Sequence, residues 1–127
     1  MAKIFVLDDS RSVLEMVVQM LKKAGYEVLS SSSGKELFKT LRRQHVDLLI
    51  TDIYMPIEDG LEVLVKARRE HPGVKFIAMS SMTGPMNMLP VAKLLGAAVT
   101  LQKPFTEEAL ITAVAKVLGP ETKTPAR

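Results

Sequence analysis

The sequence lacks cysteine and tryptophan altogether, and it contains no long apolar run. Without cysteine, neither a disulfide framework nor a thiolate zinc site can form, and a reducing compartment is the simpler expectation. The apolar residues before Asp8 are too few for a signal sequence, and no other apolar stretch reaches the length of a membrane span. These absences predict a soluble chain that stays in the cytoplasm and has no membrane partner.

Aromatic residues are also scarce, at 5% of the chain, although the net charge is +3 and the isoelectric point is near 9.3. A basic surplus can attract nucleic acid. Here, however, the lysines and arginines are spread along amphipathic segments without the interleaved aromatic side chains of a base-stacking surface. We therefore interpret them as solvated helix faces and expect no direct nucleic acid partner.

The length of 127 residues suits one ordinary hydrophobic core, and the 47% hydrophobic and 24% charged content is typical of a globular domain. We predict a single domain over residues 1–119. Residues 120–127 contain two prolines and little apolar content, which predicts a flexible tail or a linker stub. The Met1 start and the short tail slightly favour a stand-alone protein over a piece cut at a linker.

Short runs rich in valine, isoleucine and leucine alternate with longer segments of helical periodicity. This alternation predicts βα units around a parallel sheet, and the successive apolar residues within runs are typical of strands that helices cover on both faces. We predict an α/β, flavodoxin-like, doubly wound sheet of five parallel strands in the order 2-1-3-4-5, with five helices. The predicted strands are Ile4 to Leu7, Tyr26 to Leu29, Leu48 to Thr51, Phe76 to Met79 and Val99 to Leu101.

Capping residues mark the bounds of three predicted helices. Gly25 stands where a left-handed residue would end the first helix. Ser33, with Glu36 three residues later, resembles a capping box that opens the second helix. Thr106 precedes two glutamates, which favour the positive end of a helix dipole, and so begins the fifth.

Glycine and proline delimit the other two helices. After Gly60, apolar residues recur at helical spacing, and Pro72 limits the third helix because the residue before a proline is disfavoured in helical conformation. The fourth helix should be short or kinked, because Pro90 lies inside its expected span and would remove a backbone hydrogen bond.

Polar side chains follow four of the predicted strands. Asp8 and Asp9 follow the first, Asp52 the third, Ser80 the fourth and Lys103 the fifth. In an open parallel sheet, ligand sites gather at the carboxyl ends of the strands, so these side chains should converge. Clustered carboxylates repel one another unless a cation compensates, and Mg²⁺ is the natural candidate because it takes oxygen ligands and accepts phosphate oxygens.

Each of these residues, taken alone, also has an ordinary structural interpretation. Asp8 and Asp9 could form a helix N-cap, and Asp9 or Ser10 suits that position before the first helix. Asp52 and Ser80 could be turn residues, and Lys103 could form a surface ion pair. Lys103 precedes Pro104, so its backbone should be extended, and some such X-Pro bonds are cis.

Their combination is more specific than any one of them. In order and spacing, four segments resemble the receiver domain of two-component response regulators, including the chemotaxis regulators, and the resemblance spans residues 3–118. The segments are Val6-Leu7-Asp8-Asp9-Ser10, Asp52-Ile53-Tyr54-Met55-Pro56 with Asp59-Gly60, Ala78-Met79-Ser80-Ser81, and Gln102-Lys103-Pro104-Phe105.

The resemblance implies that Asp52 accepts a phosphoryl group from a phosphohistidine on a sensor histidine kinase or phosphotransfer protein. Lys103 would pair with the phosphate and Ser80 would move to hydrogen-bond it. Mg²⁺ would be held directly by Asp9, through water by Asp8, and by the Asp52 side chain and the Tyr54 backbone carbonyl. Such a protein is a signalling receiver that catalyses only its own phosphorylation and dephosphorylation.

The sequence departs from the family pattern at Thr100, where many receivers have a tyrosine or phenylalanine whose rotation accompanies the serine or threonine movement. A threonine has no aromatic ring whose rotation could accompany that movement. The conformational change is then expected to run through the loop Met82 to Met88 and the helix after it. An unidentified output protein would bind the face between helix 4 and helix 5.

Three other functions remain open on the residues alone. A Mg²⁺-dependent phosphatase with an aspartyl nucleophile commonly needs a second acidic residue two positions after the nucleophile, and Tyr54 stands there. A flavodoxin-like nucleotide binder would need a glycine-rich loop after the first strand, and none follows. A scaffold that keeps the fold without phosphorylation is disfavoured because the acidic residues are all present.

Overall fold

The structure is a computed structural model that describes residues 2–53, 60–81 and 89–119. Strands and helices alternate throughout these ranges. The strands are β1 (Lys3–Leu7), β2 (Glu27–Ser31), β3 (Leu48–Asp52), β4 (Lys75–Ser81) and β5 (Val99–Lys103). The helices are α1 (Arg11–Lys23), α2 (Gly34–Arg43), α3 (Gly60–Glu70), α4 (Leu89–Leu94) and α5 (Glu107–Leu118).

The five strands form one parallel sheet in the order β2-β1-β3-β4-β5, which confirms the predicted fold. Leu7 pairs with Thr51, and Asp52 pairs with Met79. The register therefore aligns the carboxyl ends of β1, β3 and β4 at one edge of the sheet. β1 ends at its predicted last residue, and the other four strands run one or two residues further toward that edge than predicted.

Two apolar layers cover the sheet, one on each face. Phe5 and Leu7 point into a layer completed by α2, α3 and α4, whereas Ile4 and Val6 point into a layer completed by α1 and α5. This alternation follows from the two-residue repeat of a strand. Every residue of β3 is buried, as the prediction of strands covered on both faces requires. Each fully buried aliphatic side chain contributes roughly 1.5–3 kcal/mol.

Side-chain caps begin the helices where the sequence predicts them. The Ser33 hydroxyl accepts a hydrogen bond from the Lys35 amide at 3.2 Å, one residue earlier than in a capping box. The Thr106 hydroxyl accepts from the Ala109 amide at 3.0 Å. Gly25, with φ of 99°, lies in the left-handed region beyond the end of α1. These local signals were readable without the tertiary structure because each acts within a few residues.

The bounds of α3 and α4 were predicted from glycine and proline, and the structure can be compared with both predictions. α3 ends at Glu70, one residue before the His71-Pro72 pair, and its buried residues include Val63, Leu64 and Ala67. α4 has only six residues. Pro90 is the second residue of α4 as the described residues give it. Among the described residues, no helix is long and apolar enough to cross a bilayer.

Gly60 sits so close to β3 that a side chain cannot fit. A Cβ atom at this position would lie 2.5 Å from the Asp52 carbonyl oxygen and 2.7 Å from the Ile53 carbonyl carbon. Both are backbone atoms that cannot move aside without displacing the strand end. The first turn of α3 is therefore packed directly against the backbone that carries Asp52.

Gly60→Ala should lower the free energy of unfolding by about 2 kcal/mol or more, because the added methyl group overlaps with β3 backbone. Gly73→Ala is the matched control, since a Cβ there meets no atom within 4 Å, and it should change stability by less than about 0.5 kcal/mol. Urea titrations of the two variants measure the difference. Equal stabilities would contradict the close packing of Gly60.

Asp47 ties three strands together at the opposite edge of the sheet. Its carboxylate accepts a hydrogen bond from the Lys3 amide at 2.8 Å and contacts His45 Nε2 at 2.7 Å. Its backbone accepts from the Lys75 amide and donates to the Lys3 carbonyl. Burial alone would raise the pKa of Asp47, but the hydrogen bonds from Lys3 and His45 and the nearby positive charges outweigh it and lower the pKa.

A lowered pKa means that Asp47 stabilises the fold above its unfolded pKa and that this contribution is lost as the pH falls through the folded value. Asp47→Asn should therefore cost about 1 kcal/mol at pH 7 and less as the pH falls below the pKa of an unfolded aspartate. Denaturant titrations at several pH values measure this. Glu27→Gln, which removes the exposed partner of Lys3, should show almost no loss, and a loss at Asp47→Asn that is independent of pH would contradict the assignment.

Candidate functional site

The three predicted acidic residues meet at the carboxyl edge of the sheet. Asp8 and Asp9 follow β1, and Asp52 is the last residue of β3. One carboxylate oxygen from each lies within 4.8 Å of the others. Asp8 is fully buried and Asp52 is 5% exposed, whereas Asp9 faces solvent. The fold thus places two nearly dry carboxylates and one hydrated carboxylate around one point.

Lys103 supplies the positive charge that this cluster needs. Its ammonium group donates to Asp8 Oδ2 and to Asp52 Oδ2, each at 2.8 Å. The lysine is the last residue of β5, and its peptide bond to Pro104 is cis. Burial alone would lower the pKa of Lys103, but the hydrogen bonds and charges of Asp52 and Asp8 outweigh it and raise the pKa above its usual 10.5. Lys103 is therefore a firmly charged group beside Asp52, and its interpretation as an exposed surface ion pair is wrong because its side chain is only 18% exposed.

Asp8 is held from both sides. Its Oδ2 accepts a hydrogen bond from the Lys103 ammonium group, and its Oδ1 accepts a hydrogen bond from the Ser10 amide at 2.9 Å. Ser10 itself is the N-cap of α1, with its hydroxyl 3.4 Å from the Val13 amide. Ser10 rather than either aspartate therefore caps the helix, which leaves Asp9 exposed and available to a ligand.

Ser80 lies at the same edge on the neighbouring strand. β4 pairs with β3 so that Met79 faces Asp52, and Ser80 follows it, 5% exposed and opposite Gln102 of β5. Thr100, the residue at which the sequence departs from the family pattern, is half-buried on β5 and pairs with Ala78. It lies two residues before the strand partner of Ser80.

Two predicted features of the site fall outside the described residues. These are Tyr54, whose backbone carbonyl is a predicted metal ligand, and the loop Met82 to Met88. Residues 120–127, the predicted tail, lie outside them as well. Of the two histidines, His45 lies just before β3 and His71 just before β4, at the amino edge of the sheet, so neither approaches the acidic cluster.

The donor set fits a hard divalent cation. All three side chains offer oxygen atoms, and two of them are already close enough to share one ammonium group. Oxygen ligands of one Mg²⁺ lie up to about 4.2 Å apart at bond lengths of 2.0–2.1 Å. The three carboxylate oxygens lie within 4.8 Å of one another, which is close to this limit. No sulfur or histidine donor competes among the described residues of the cluster.

One functional contact was not predicted from the sequence. The first residue of α3, Gly60, packs against the backbone of Asp52, and the Thr51 hydroxyl donates to the Asp52 carbonyl oxygen at 3.0 Å. Together they hold the end of β3 and so the direction of its terminal side chain. The available signal was a glycine at a predicted helix start, and glycine is also common at such positions without any close approach of a strand.

A comparison with protein families supports one of the functional alternatives. Residues 4–115 match the model of the response regulator receiver domain. This chain belongs to that family. The receiver domain therefore has the fold and the two-component signalling role that the resemblance implied, and the phosphatase alternative is not favoured.

Individual relatives agree with this assignment. The receiver domain is 31% identical over 121 residues to the DNA-binding transcriptional regulator NtrC of Azospirillum brasilense, covering 95% of this chain and 25% of that protein. It is 27% identical to the sporulation initiation phosphotransferase F of Bacillus subtilis, covering 91% of this chain and 93% of that protein. The chemotaxis response regulator CheY4 of Vibrio cholerae superposes with a TM-score of 0.81 at 32% identity, over 93% of this chain and 99% of that one. The receiver domain spans about a quarter of the length of the NtrC relatives.

Lys103→Met should lower the free energy of unfolding by about 2–3 kcal/mol at pH 7, because two buried carboxylates then lose their compensating charge. The raised pKa of Lys103 sets the pH dependence: its contribution is complete below the pKa of an unfolded lysine and is lost as the pH rises through the folded value. Urea titrations between neutral and strongly alkaline pH measure the shrinking difference.

The double variant Asp52→Asn with Lys103→Met serves as the control, since it leaves one carboxylate fewer to compensate. It should be more stable than Lys103→Met alone. If both variants unfold at the same urea concentration, Lys103 does not neutralise Asp52.

Proposed function

We propose that this receiver domain accepts a phosphoryl group on Asp52 in a Mg²⁺-dependent transfer from a phosphohistidine of a sensor histidine kinase or phosphotransfer protein. The observation that carries the proposal is the position of the Asp52 carboxylate. It lies at a strand end, 2.8 Å from the Lys103 ammonium group and within 4.8 Å of two further carboxylates. This arrangement combines a nucleophile with charges for holding a phosphate in place.

In the proposed step, an Asp52 carboxylate oxygen attacks phosphorus and an O–P bond forms as the P–N bond to the imidazole breaks. The electron pair of the broken bond stays on the imidazole nitrogen, which is then protonated. The product is an acyl phosphate. Phosphoryl transfer depends mainly on positioning and charge stabilisation, so the protein needs no strong general base.

Lys103 and Ser80 have different proposed roles. The Lys103 ammonium group already contacts Asp52 Oδ2 and would pair with an equatorial oxygen of the phosphoryl group as a point charge. Ser80 lies on the adjacent strand at the same edge and would donate a hydrogen bond to the attached phosphate. Phosphorylation would add a charge of about −2 next to Ser80, and a hydrogen bond to the new phosphate would change the position of the Ser80 hydroxyl.

Asp9, Asp8 and Asp52 would hold Mg²⁺, with Asp9 bound directly, Asp8 through water and Asp52 through its other oxygen. The Tyr54 carbonyl would complete the protein ligands. Bound there, the cation would offset the carboxylate charge and the charge of the phosphate oxygens. The burial of Asp8 and the exposure of Asp9 support this division, since an exposed carboxylate can exchange water for metal at small cost.

The proposed signal passes from Ser80 through the loop Met82 to Met88 and α4 to an output protein on the face from α4 to α5. Leu94 of α4 is 83% exposed, which supports an apolar contact at this face. Receiver domains act with kinases and output domains, and the protein would turn over no other substrate. Its location in the cytoplasm remains a prediction from the cysteine-free sequence.

Incubation with acetyl phosphate and MgCl₂ should add one phosphate to the wild-type protein, detected by intact mass spectrometry. Asp52→Asn should show no adduct because an amide is a poor nucleophile. Asp9→Asn should reduce the adduct at least about tenfold, and chelation by EDTA should abolish it in the wild type.

Steady hydrolysis of acetyl phosphate without an adduct would favour a phosphatase instead. Equal labelling of wild type and Asp52→Asn would place the acceptor elsewhere. Circular dichroism of each variant checks that the fold is intact, so that a lost adduct can be assigned to the missing carboxylate.

A further inference from the structure

Positive charge is concentrated on two neighbouring helices. α2 and α3 together carry seven basic and three acidic side chains, a net charge of +4, whereas the whole chain has +3. The rest of the chain is therefore slightly acidic. This asymmetry is not visible in the overall composition, and the phosphorylation chemistry at the carboxyl edge of the sheet makes no use of it.

Part of this charge lines a groove between the two helices. The α2–α3 groove, about 870 Å³ in volume, is lined by Lys35, Phe38 and Arg42 of α2 and by Val65, Lys66 and Arg69 of α3, among other residues. The four basic side chains are all exposed. Glu62 is the acidic side chain among the described residues that line it. The groove therefore presents a surplus of positive charge to solvent.

The floor of the groove is apolar. Val65 is 40% exposed, one of the few large hydrophobic side chains that the described residues leave exposed. Phe38 is 7% exposed, and the Lys66 ammonium group lies 4.4 Å from its ring centre. The periodicity of α3 alone predicts that Val65 is buried with the core residues. In the structure, the buried side of the helix instead carries Val63, Leu64 and Ala67. Val65 is left in the groove instead.

We propose that the α2–α3 groove binds an acidic amphipathic helix of a partner protein, with carboxylates on the basic rim and an aliphatic side chain against Val65. Lys35 and Arg42 lie two helical turns apart on α2, about 10 Å along its axis. Carboxylates at the same spacing on an apposed helix would reach both.

A nucleic acid fits these observations less well. Binding of single strands uses exposed aromatic rings on which bases stack, and the ring of Phe38 is buried beneath Lys66. Phosphate contacts alone would also leave Val65 without a role. An amphipathic helix satisfies both features of the groove, because its apolar stripe and its flanking charges recur at the same helical spacing.

The proposal can be tested with a synthetic peptide of about four helical turns, with leucines at helical spacing and glutamates on both sides of the leucine stripe. Fluorescence anisotropy of the labelled peptide should show saturable binding to the wild-type protein. Arg42→Gln with Arg69→Gln should weaken binding about five- to tenfold. Val65→Ser should weaken it about threefold.

Two matched controls separate the groove from the overall charge. Lys22→Gln with Lys116→Gln removes the same charge from exposed positions on α1 and α5, and Met16→Ser replaces a side chain that is 41% exposed, against 40% for Val65. Both controls should bind like the wild type. All four proteins carry surface substitutions, and thermal unfolding checks that each is folded.

Three outcomes would overturn the proposal. The first is absence of saturable binding by the peptide. The second is an equal loss in the α2–α3 variants and in the Lys22 and Lys116 control, which would assign binding to net charge alone. The third is tighter binding of a single-stranded oligonucleotide that depends on Arg42 and Arg69 but not on Val65, which would assign the groove to nucleic acid.

Discussion

The contact of the Lys103 ammonium group with Asp8 and Asp52 is the interaction on which the functional edge of this receiver domain depends. Two nearly dry carboxylates at this distance would repel each other strongly, and one lysine with two 2.8 Å contacts offsets that repulsion. The same lysine joins β5 to β1 and β3. It therefore holds together the edge of the sheet at which phosphoryl chemistry is proposed.

The rest of the site follows from how that edge is built. Ser10 caps α1 while its amide holds Asp8, so helix initiation and carboxylate positioning share one residue. Gly60 allows α3 to begin directly against the Asp52 backbone. Asp52 thus has the start of α3 against its backbone, β4 with Ser80 as its neighbouring strand, and Lys103 in direct contact with its carboxylate.

Family membership and the chemistry at this edge account for one part of the molecule. The side of α3 that lines the α2–α3 groove differs from this site, because exposed basic side chains surround Val65 there. The two regions share α3, whose first residue contacts β3 and whose middle residues line the groove. The helix can thus contribute to two surfaces whose proposed partners differ chemically, a phosphodonor near its first residue and an acidic helix along its side.

The sequence alone determined the strands, the helix caps at Ser33 and Thr106, and the positions of Asp8, Asp9, Asp52, Ser80 and Lys103 after the strands, because short-range periodicity and local capping decide these features. The strand order was predicted from a common order of doubly wound folds and from the resemblance to receiver domains. Only the tertiary structure decided that Lys103 bridges Asp8 and Asp52, that Ser10 rather than an aspartate caps α1, and that Val65 is exposed. The Lys103 bridge and the exposure of Val65 depend on packing between residues far apart in the chain, which local sequence does not encode. The cap at Ser10 is local, but Asp9 and Ser10 both suit that position, so the sequence did not distinguish them.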